Sequence, residues 1–434
     1  MSSIFSFRRM ATAVGLTAIL AYQYGAPIHR GVVIFGLLRG ASNTVVADGD
    51  LVVIEGTKHC EDIHHHEPSQ SLFLACEGAN SPRRDWFPPL SIYTSIERGN
   101  EAQAEFRVID TTTMKSKPLN LVDFSGPFIS HGIDVLEDPQ QPLGKAVYLF
   151  AVNHKPDAAH WGPNGSPEAN KSRSVIEVFH HVIGSNTAEH LRTIWHPLIR
   201  TPNDIHALSP TSFLITNDHY HREGPKRALE DLYFYAQWTE TVRIEFDPKD
   251  KSTDAAGVRG HVVLDNMHNN NGIGRGRTDN EFAVVSAASG RLRLATLSAA
   301  DAEPKAVINE VVSLDSTLDN PSYFADPYYT ATDDKSGFVL AGLRNAYTIE
   351  KAREHDHVMG SMVWKATPVP GKTADSPVTW EKRLLFEDDG QRIPFATAAL
   401  IVGIDPKKEG GKRKGWLYIT GLMAENAVAV KIDL

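Results

Sequence analysis

The chain has 434 residues, with 53 acidic and 44 basic side chains and a formal net charge of −9. That length can bury a sizeable core, and all-β barrels and propellers of this size form single domains. The acidic balance and the lack of a long Lys/Arg run exclude an electrostatic surface for nucleic acid. We therefore expect no nucleic-acid partner.

The N-terminus begins with an apolar segment. Arg8 and Arg9 precede the apolar run Met10–Ala21, which is shorter than the roughly 20 residues of a bilayer span and resembles a secretory signal without a clear cleavage site. A second apolar patch covers Gly31–Leu38. We predict that residues 1–40 are a signal-anchor-like hydrophobic segment of a secreted or membrane-anchored protein of the secretory pathway. A helix docked on the domain is the alternative.

Two further features bear on the compartment. Cys60 and Cys76 are the only cysteines, and both a local disulfide and two free buried thiols fit their spacing. Glycosylation sequons begin at Asn164 and Asn170, in a polar stretch, 158–173, that we expect to be an exposed insertion. The sequons agree with secretory routing.

From residue 50 onward the chain repeats short apolar runs between turn residues. Several runs alternate apolar and polar residues with period two, which indicates half-buried antiparallel strands. The clearest of the short apolar runs are 51–54, 71–75, 104–109, 146–152, 174–179, 241–246, 282–286, 292–297, 337–341, 415–419 and 427–432.

Roughly twenty evenly spaced strands favour radial repetition of four-stranded sheets over one sandwich. We predict an all-β fold, a six-bladed β-propeller over residues 41–434, with an N-terminal hydrophobic helix and a short lid helix. The lid is predicted within 222–238, where 228–238 is typical of an amphipathic helix. The charged run 407–414 is expected at a hairpin tip.

Adjacent oxygen-bearing residues recur in the chain. Neighbours on an extended backbone project in opposite directions, so one member of a pair can face a channel while the other faces a deeper site. Calcium takes six to eight oxygen ligands, including amide and backbone carbonyls, and a mixed Asn/Asp/Glu set suits it better than zinc. Taken singly, each pair is also typical of an ordinary turn. The groups are Glu61-Asp62, Asn203-Asp204, Asn271-Gly272 and Asp319-Asn320.

An ordered set of short motifs resembles the serum paraoxonase/arylesterase family from about Glu55 to the C-terminus. The motifs are His131-Gly-Ile, Val152-Asn-His154, Pro202-Asn-Asp-Ile205, Thr216-Asn-Asp-His-Tyr220, Asn271-Gly-Ile273 and Leu318-Asp-Asn320. The resemblance implies a six-bladed propeller with two calcium ions in its tunnel, hydrolysing lactones and, more promiscuously, aryl esters and organophosphates.

The resemblance also implies roles for individual residues. Ligands of a catalytic calcium would be Glu61, Asn203, Asn271, Asp319 and Asn320. A structural calcium would be held by Asp62, Asp204 and the carbonyl of Ile133. His131 would act as general base on water, with His154 orienting it or relaying the proton, while Asp218 and His219 would support the site from behind.

The chain also departs from that family. Its last strand has no cysteine to close the ring, and the stretch Ala341–Asn345 lacks a pocket histidine found in well-studied members. The consecutive His64-His65-His66 is expected in an exposed loop and not at a zinc ion.

Three functions are compatible with these residues. The first is a calcium-dependent hydrolase of lactones or aryl esters with a small-molecule substrate. The others are a calcium-stabilised binding propeller without catalysis, and a propeller enzyme acting on a specialised biosynthetic intermediate. Retention of both His131 and His154 favours hydrolysis.

Overall fold

The computed structural model describes residues 25–40, 50–233, 235–298, 304–354, 356–369 and 378–434. Over these residues the chain forms six large sheets, antiparallel except for the β8–β12 pair, and one small hairpin. The strands, in chain order, are β1 (Leu51–Ile54), β2 (Asp62–His66), β3 (Ser71–Cys76), β4 (Trp86–Phe87), β5 (Ile92–Tyr93), β6 (Glu105–Asp110), β7 (Ser116–Pro118), β8 (Asn120–Val122), β9 (Ser130–Glu137), β10 (Ala146–Pro156), β11 (Ser172–Val182), β12 (Thr187–Ile194), β13 (Pro202–Ser209), β14 (Ser212–Asn217), β15 (Thr239–Phe246), β16 (Val258–Met267), β17 (Asn270–Arg275), β18 (Glu281–Ser286), β19 (Arg291–Leu297), β20 (Ala306–Ser313), β21 (Pro321–Phe324), β22 (Gly337–Leu343), β23 (Ser361–Val369), β24 (Thr379–Asp388), β25 (Ala396–Ile404), β26 (Lys414–Gly421) and β27 (Ala427–Asp433).

The six sheets are the blades of a propeller. From the inner strand outward, blade 1 is β2-β3-β6-β7, blade 2 is β9-β10-β11-β12-β8, and blade 3 is β13-β14-β15-β16. Blade 4 is β17-β18-β19-β20, blade 5 is β21-β22-β23-β24, and blade 6 is β25-β26-β27-β1. The inner strands contact one another in sequence, and β25 returns to β2, so the ring is closed. The predicted six-bladed propeller is confirmed.

The ring closes by strand pairing between the two ends of the propeller. Strand β1 is the outermost strand of blade 6, where Leu51 lies opposite Val430 and Ile54 opposite Ala427. The disulfide is local, because Cys60 bonds to Cys76 within blade 1. Of the two alternatives for these cysteines, a local disulfide and two free thiols, the structure therefore has the disulfide. This disulfide does not link the first strand of the propeller to the last.

The core lies between the blades. Each interface between neighbouring blades contains one cluster of buried side chains, because the apolar residues of the pleated strands face the adjacent sheet. Between blades 1 and 2, for example, the rings of Phe106 and Phe179 meet edge to face at 5.2 Å. This packing fixes the inner strands, and therefore the residues at their ends.

The end of the ring at which the inner strands begin is here called the upper face, and the end at which they finish is the lower mouth. The long connection between β3 and β6 contains the β4-β5 hairpin and helix α2 (Ile96–Asn100), and it covers the upper face. Trp86 and Phe87 of the hairpin pack there with Ile129 and Phe395. Helix α2 approaches closely at Gly99, where a Cβ would lie 2.6 Å from the Trp86 ring.

The described N-terminal segment packs against the propeller. Helical residues 25–35, here α1, contact the turn regions of blades 4 and 5, and Arg30 pairs with Asp315 at 2.8 Å. Arg344 donates to the carbonyl of Gly40 at 2.6 Å. None of the described helices is long and apolar enough to cross a membrane. The run Met10–Ala21 and the predicted domain boundary at residue 41 lie outside the described residues and stay predictions.

The lid and the insertion are both present, with one correction. The lid helix α4 covers Pro225–Leu232, which is earlier than the predicted 228–238, because a proline is favoured in the first turn and the helix ends before Tyr233. The insertion contains the short helix α3 (Ala158–Trp161), and both sequon asparagines are exposed. Glycosylation itself stays a prediction. The charged run 407–414 lies between β25 and β26, as expected.

Candidate active site at the upper face

The predicted site residues collect at the beginning of the inner strands. Glu61 precedes β2 and Asp62 begins it, His131 and Ile133 lie in β9, Asn203 and Asp204 in β13, Asn271 in β17, and Asp319 and Asn320 precede β21. Two glycines permit this convergence. A Cβ at Gly132 would lie 2.4 Å from an Asp204 oxygen, and one at Gly272 would lie 2.6 Å from the Cα of Asn320.

Glu61 lies at the centre of this group. It is 1% exposed, and its Oε1 accepts a hydrogen bond from Asn320 Nδ2 at 3.0 Å. Nε2 of His131 is 3.9 Å from the same oxygen. The structure therefore brings together three residues that are separated by up to 259 positions in sequence.

A second, deeper group of carboxylates connects neighbouring blades. Asp62 accepts the backbone N–H of Ile133 at 2.9 Å, and Asp204 accepts that of Ile273 at 2.8 Å. Asp134 repeats the arrangement with the N–H of Ala207 at 2.7 Å. Members of the adjacent pairs therefore face different partners, with Glu61 turned to Asn320 and Asp62 turned to Ile133.

Several buried oxygens of the upper group have no hydrogen-bond partner among the described residues. They are Glu61 Oε2, Asn203 Oδ1, Asp319 Oδ1 and Asn320 Oδ1, joined by Oδ1 of neighbouring Asn270. A buried polar atom without a partner costs free energy, so such a concentration calls for a ligand. Asn271 differs, because its Oδ1 accepts the N–H of Gly272 at 2.8 Å.

The carboxylates of the site are too close to carry full charge without compensation. Burial, with Asp319 and Asp62 nearby, raises the pKa of Glu61 well above its ordinary value. Burial and the charge of Asp62 do the same to the pKa of Asp319, and burial with Asp62 and Glu61 to that of Asp204. A cation among them would remove this repulsion.

The donor set is one of oxygens and not of histidine or cysteine. Within the described ranges, no group of three or more His, Cys, Asp and Glu side chains has the arrangement of a metal site. The unpartnered oxygens come from the amides of Asn203, Asn270 and Asn320 and from the carboxylates of Glu61 and Asp319. Such a set fits a hard cation that accepts neutral oxygen ligands, which is the preference of calcium.

The two predicted histidines form a pair beside Glu61. His131 Nδ1 lies 3.1 Å from His154 Nε2, and His154 Nδ1 lies 2.9 Å from Ser174 Oγ. Two neutral tautomer arrangements fit these contacts, and they differ in which nitrogen of His131 is unprotonated.

The surroundings keep both rings neutral. Burial lowers the pKa of His131 to about 3, and the charge of Arg83 adds to the effect. Burial and the proximity of His131 lower the pKa of His154 well below its ordinary value. The Phe87 ring contacts both imidazoles edge to face, at 5.2 Å and 6.2 Å.

No pattern in the sequence indicates the buried ion pair behind His131. Arg83 and Glu77 lie 3.2 Å apart, and both side chains are fully buried. Glu77 accepts the N–H of Ser130 at 2.9 Å, and Arg83 donates to the carbonyl of the same residue at 3.0 Å. The pair therefore fixes the residue that precedes His131.

Asp218 and His219 attach the lid to the site. His219 Nδ1 lies 3.0 Å from Asp218, and its Nε2 lies 2.7 Å from Asp231 of helix α4. Burial and Arg227 would lower the pKa of His219, but the two carboxylates raise it to about 9. His219 is therefore an imidazolium that holds the lid, consistent with the predicted supporting position of these residues.

The lid covers the histidine pair closely. Arg222 donates to the carbonyl of Ser172 at 3.2 Å, and Arg227 donates to the carbonyl of Pro89. Beneath them is a cavity of about 10 Å³, lined by His154, Ser174 and Asp218 among others. That is room for roughly one water molecule. A larger substrate needs the lid to move.

The prediction for His64-His65-His66 is wrong in one respect. The three residues lie in strand β2 and not in an exposed loop, and the rings of His64 and His66 pair with other side chains. His64 contacts Asp62 at 3.0 Å and Asp134 at 3.3 Å, while His66 contacts Glu137. The described residues contain no zinc-type cluster here.

Comparison with known proteins gives the context of this site. Residues 126–258, which include both histidines and Asn203-Asp204, match the family model described as Arylesterase. Over these residues the chain is similar to the arylesterase family. It is 33% identical over 132 residues to serum paraoxonase/arylesterase 2 of Gallus gallus, covering 30% of this chain and 31% of the relative.

A second relative gives the same result. Serum paraoxonase/arylesterase 1 of Mus musculus is 36% identical over 123 residues, covering 28% of this chain and 29% of that protein. The match therefore spans about a third of the length of these curated relatives. Among solved structures, the allergen Mala s 1 of Malassezia sympodialis covers 89% of this chain and 97% of its own, with 10% identity and a TM-score of 0.46.

Proposed function

We propose that the protein is a calcium-dependent hydrolase of lactones or aryl esters. The arylesterase segment supports the reaction class, and the names of the relatives include paraoxonase activity. The observation that carries the proposal is the position of His131. It is paired with His154 and lies 3.9 Å from Glu61, whose Oε2 is buried without a partner.

The residues that would hold the catalytic calcium are four of those with unpartnered oxygens, together with Asn271. They are Glu61, Asn203, Asn271, Asp319 and Asn320. A structural calcium at Asp62, Asp204 and the Ile133 carbonyl has less support, because both carboxylates already accept backbone N–H groups. The chemistry that a bound catalytic calcium supplies is Lewis-acid polarisation of the substrate carbonyl.

The chain's own residues then handle the proton. In one tautomer arrangement, Nδ1–H of His131 donates to His154, and Nδ1–H of His154 donates to Ser174. Nε2 of His131 is then free to accept a proton from a water molecule, whose oxygen attacks the carbonyl carbon. The same nitrogen returns the proton to the departing alcohol. Phe87 and the lid exclude other water molecules.

The first experiment separates catalysis from binding. Purified protein is assayed on γ- and δ-lactones and phenyl acetate before chelation, after chelation and after calcium restoration. Turnover that is lost and regained supports the proposal. Calcium-dependent thermal stability with no turnover on any substrate supports a calcium-stabilised binding propeller instead.

A substitution tests the histidine pair. His131→Gln should lower kcat by about 10²–10⁴-fold, the usual contribution of general base catalysis, while calcium-dependent stability persists. His181→Gln is the matched control, because His181 is 1% exposed and lies in blade 2, where it bonds the Thr187 carbonyl. Equal losses in both variants, or a misfolded His131→Gln protein, would reduce His131 to a structural residue.

We also propose secretory routing, with membrane association through residues 1–40. The Cys60–Cys76 disulfide supports an oxidising compartment. Fractionation of cells that express the full chain, and a variant lacking residues 1–40, tests this. Recovery of both in the same soluble fraction would contradict membrane association.

A further inference from the structure

The lower mouth of the tunnel opens into a cavity of about 520 Å³. Its walls are the final residues of the inner strands, including His66, Glu137, Arg275, Phe324 and Val402. Pockets of roughly 300–1,000 Å³ accommodate small organic ligands. This cavity is therefore large enough for a ligand, unlike the space beneath the lid.

Most charged groups in this cavity are already paired. Asp134 accepts the N–H groups of Val135 and Ala207, both at 2.7 Å, and lies 3.3 Å from each of His64 and His206. The neighbouring Glu137 is likewise paired, with His66 and with the N–H of Gly144 at 2.6 Å. These carboxylates have little capacity left for a ligand.

Arg275 is the exception. It ends β17, its side chain is exposed at the cavity, and among the described residues its guanidinium has no hydrogen-bond or ion-pair partner. Glu67, also exposed, lies on the blade diametrically opposite. An anionic group beside Arg275 can form the bidentate contacts that a guanidinium prefers.

The remaining wall is apolar. Phe324 is 5% exposed, Leu400 and Ile401 are each 4% exposed, and the Tyr323 and Tyr328 rings extend the surface. The apolar part of a ligand can lie on this wall while one charged end reaches Arg275. Among the described residues that line the cavity, Arg275 is the one Arg or Lys, and the carboxylates of Glu67 and Asp134 line the same cavity, which favours a monoanion over a phosphate.

We propose that the lower mouth is a second binding site, for a small monocarboxylate with an apolar or aromatic body, held by Arg275. His64 lies between this cavity and the upper carboxylates, bridging Asp62 at 3.0 Å and Asp134 at 3.3 Å. The site is separate from the histidine pair and does not depend on hydrolysis at the upper face.

The test uses hexanoate and 3-phenylpropionate as probes on the full calcium-loaded chain, by isothermal titration calorimetry and saturation-transfer NMR. Arg275→Gln should weaken binding at least tenfold, and Arg275→Lys should retain part of it. Arg259→Gln is the matched control, since Arg259 is also exposed and lies in outer strand β16, away from the cavity. The control should bind like the unchanged protein.

Three results would overturn the proposal. One is equal binding of hexanoate and hexanamide, since a carboxylate site should discriminate between them. Another is unchanged affinity in Arg275→Gln. A third is loss of binding in His131→Gln but not in Arg275→Gln, which would place the probes at the upper face. Thermal melts confirm that the exposed substitutions leave the fold intact.

Discussion

At the upper face, Glu61, Glu77 and Arg83 are at most 2% exposed, whereas at the lower mouth Glu67 and Arg275 are exposed. Both groups lie along the same central tunnel. The difference comes from what covers each end. The β4-β5 hairpin and the lid close the upper face, while the lower mouth keeps a cavity of about 520 Å³.

The comparison shows how one ring of strands supports two kinds of site. The carboxylates at the upper face are buried from water, so each needs a fixed hydrogen-bond or ionic partner. The oxygens there that have no such partner form the candidate calcium site. With water present, lower charges can remain free to exchange partners. Reactive chemistry suits the first environment, and reversible binding suits the second.

The largest stability effect should come from the upper ion pair. Arg83→Met leaves Glu77 buried without its partner, and burial already raises the pKa of that carboxyl. The free energy of unfolding, measured in urea, should fall by about 3–5 kcal/mol. Arg98→Met is the control, since its pair with Asp85 is 37% and 42% exposed and is worth roughly 1 kcal/mol or less. Similar losses of stability in Arg83→Met and Arg98→Met would mean that the buried ion pair at the upper face contributes no more than an exposed one.

The next largest effect should appear at Glu61. Glu61→Gln should lower turnover by about 10²–10³-fold, as when one charge-stabilising group is removed. In the presence of a chelator, Glu61→Gln should not lower the melting temperature, because the substitution removes repulsion with Asp319 and Asp62. When calcium is added, the variant should show little of the increase in melting temperature that the unchanged protein shows. Glu177→Gln, a buried control in blade 2, should keep that rise. An unchanged calcium response in Glu61→Gln would contradict the ligand assignment.

Much of this architecture could be predicted from the sequence. Short apolar runs between turn residues, such as 51–54 and 427–432, form the strands that close the ring, because runs of this length and composition are typical of strands. The adjacent pair Glu61-Asp62 also has different partners, as an extended backbone requires. The assigned ligand roles stay predictions.

Other features needed three-dimensional information. Arg83 and Glu77 become neighbours of Ser130 only after blades 1 and 2 pack, and nothing in their local sequence indicates it. The sequence of histidines 64–66 predicts a polar loop, because two of the carboxylates that pair with them, Asp134 and Glu137, are distant in sequence. Local patterns predict elements, whereas charge pairing depends on the fold.

A smaller effect should follow pH at the lid. The folded pKa of His219, about 9, exceeds its ordinary value of 6.5, so its ion pairs stabilise fully below pH 6.5 and are lost as pH rises through 9. Asp231→Asn should therefore lower the melting temperature most at pH 6, by an amount equivalent to about 1 kcal/mol or less, because Asp231 is 46% exposed. Above pH 9 the two proteins should converge. Asp250→Asn, an exposed control outside the lid, should show no such trend.

The smallest effect should occur at the lower mouth. Glu137 is 25% exposed, and its partners are His66 and the N–H of Gly144. Because water reaches this carboxylate and the amide of Gln can still accept from Gly144, Glu137→Gln should cost less than about 1 kcal/mol in urea unfolding. Glu77→Gln at the upper face should cost more, since neither Glu77 nor Arg83 can recruit water. Equal costs would show that the lower mouth is as dry as the upper face, and would remove the physical basis for treating the two ends as different sites.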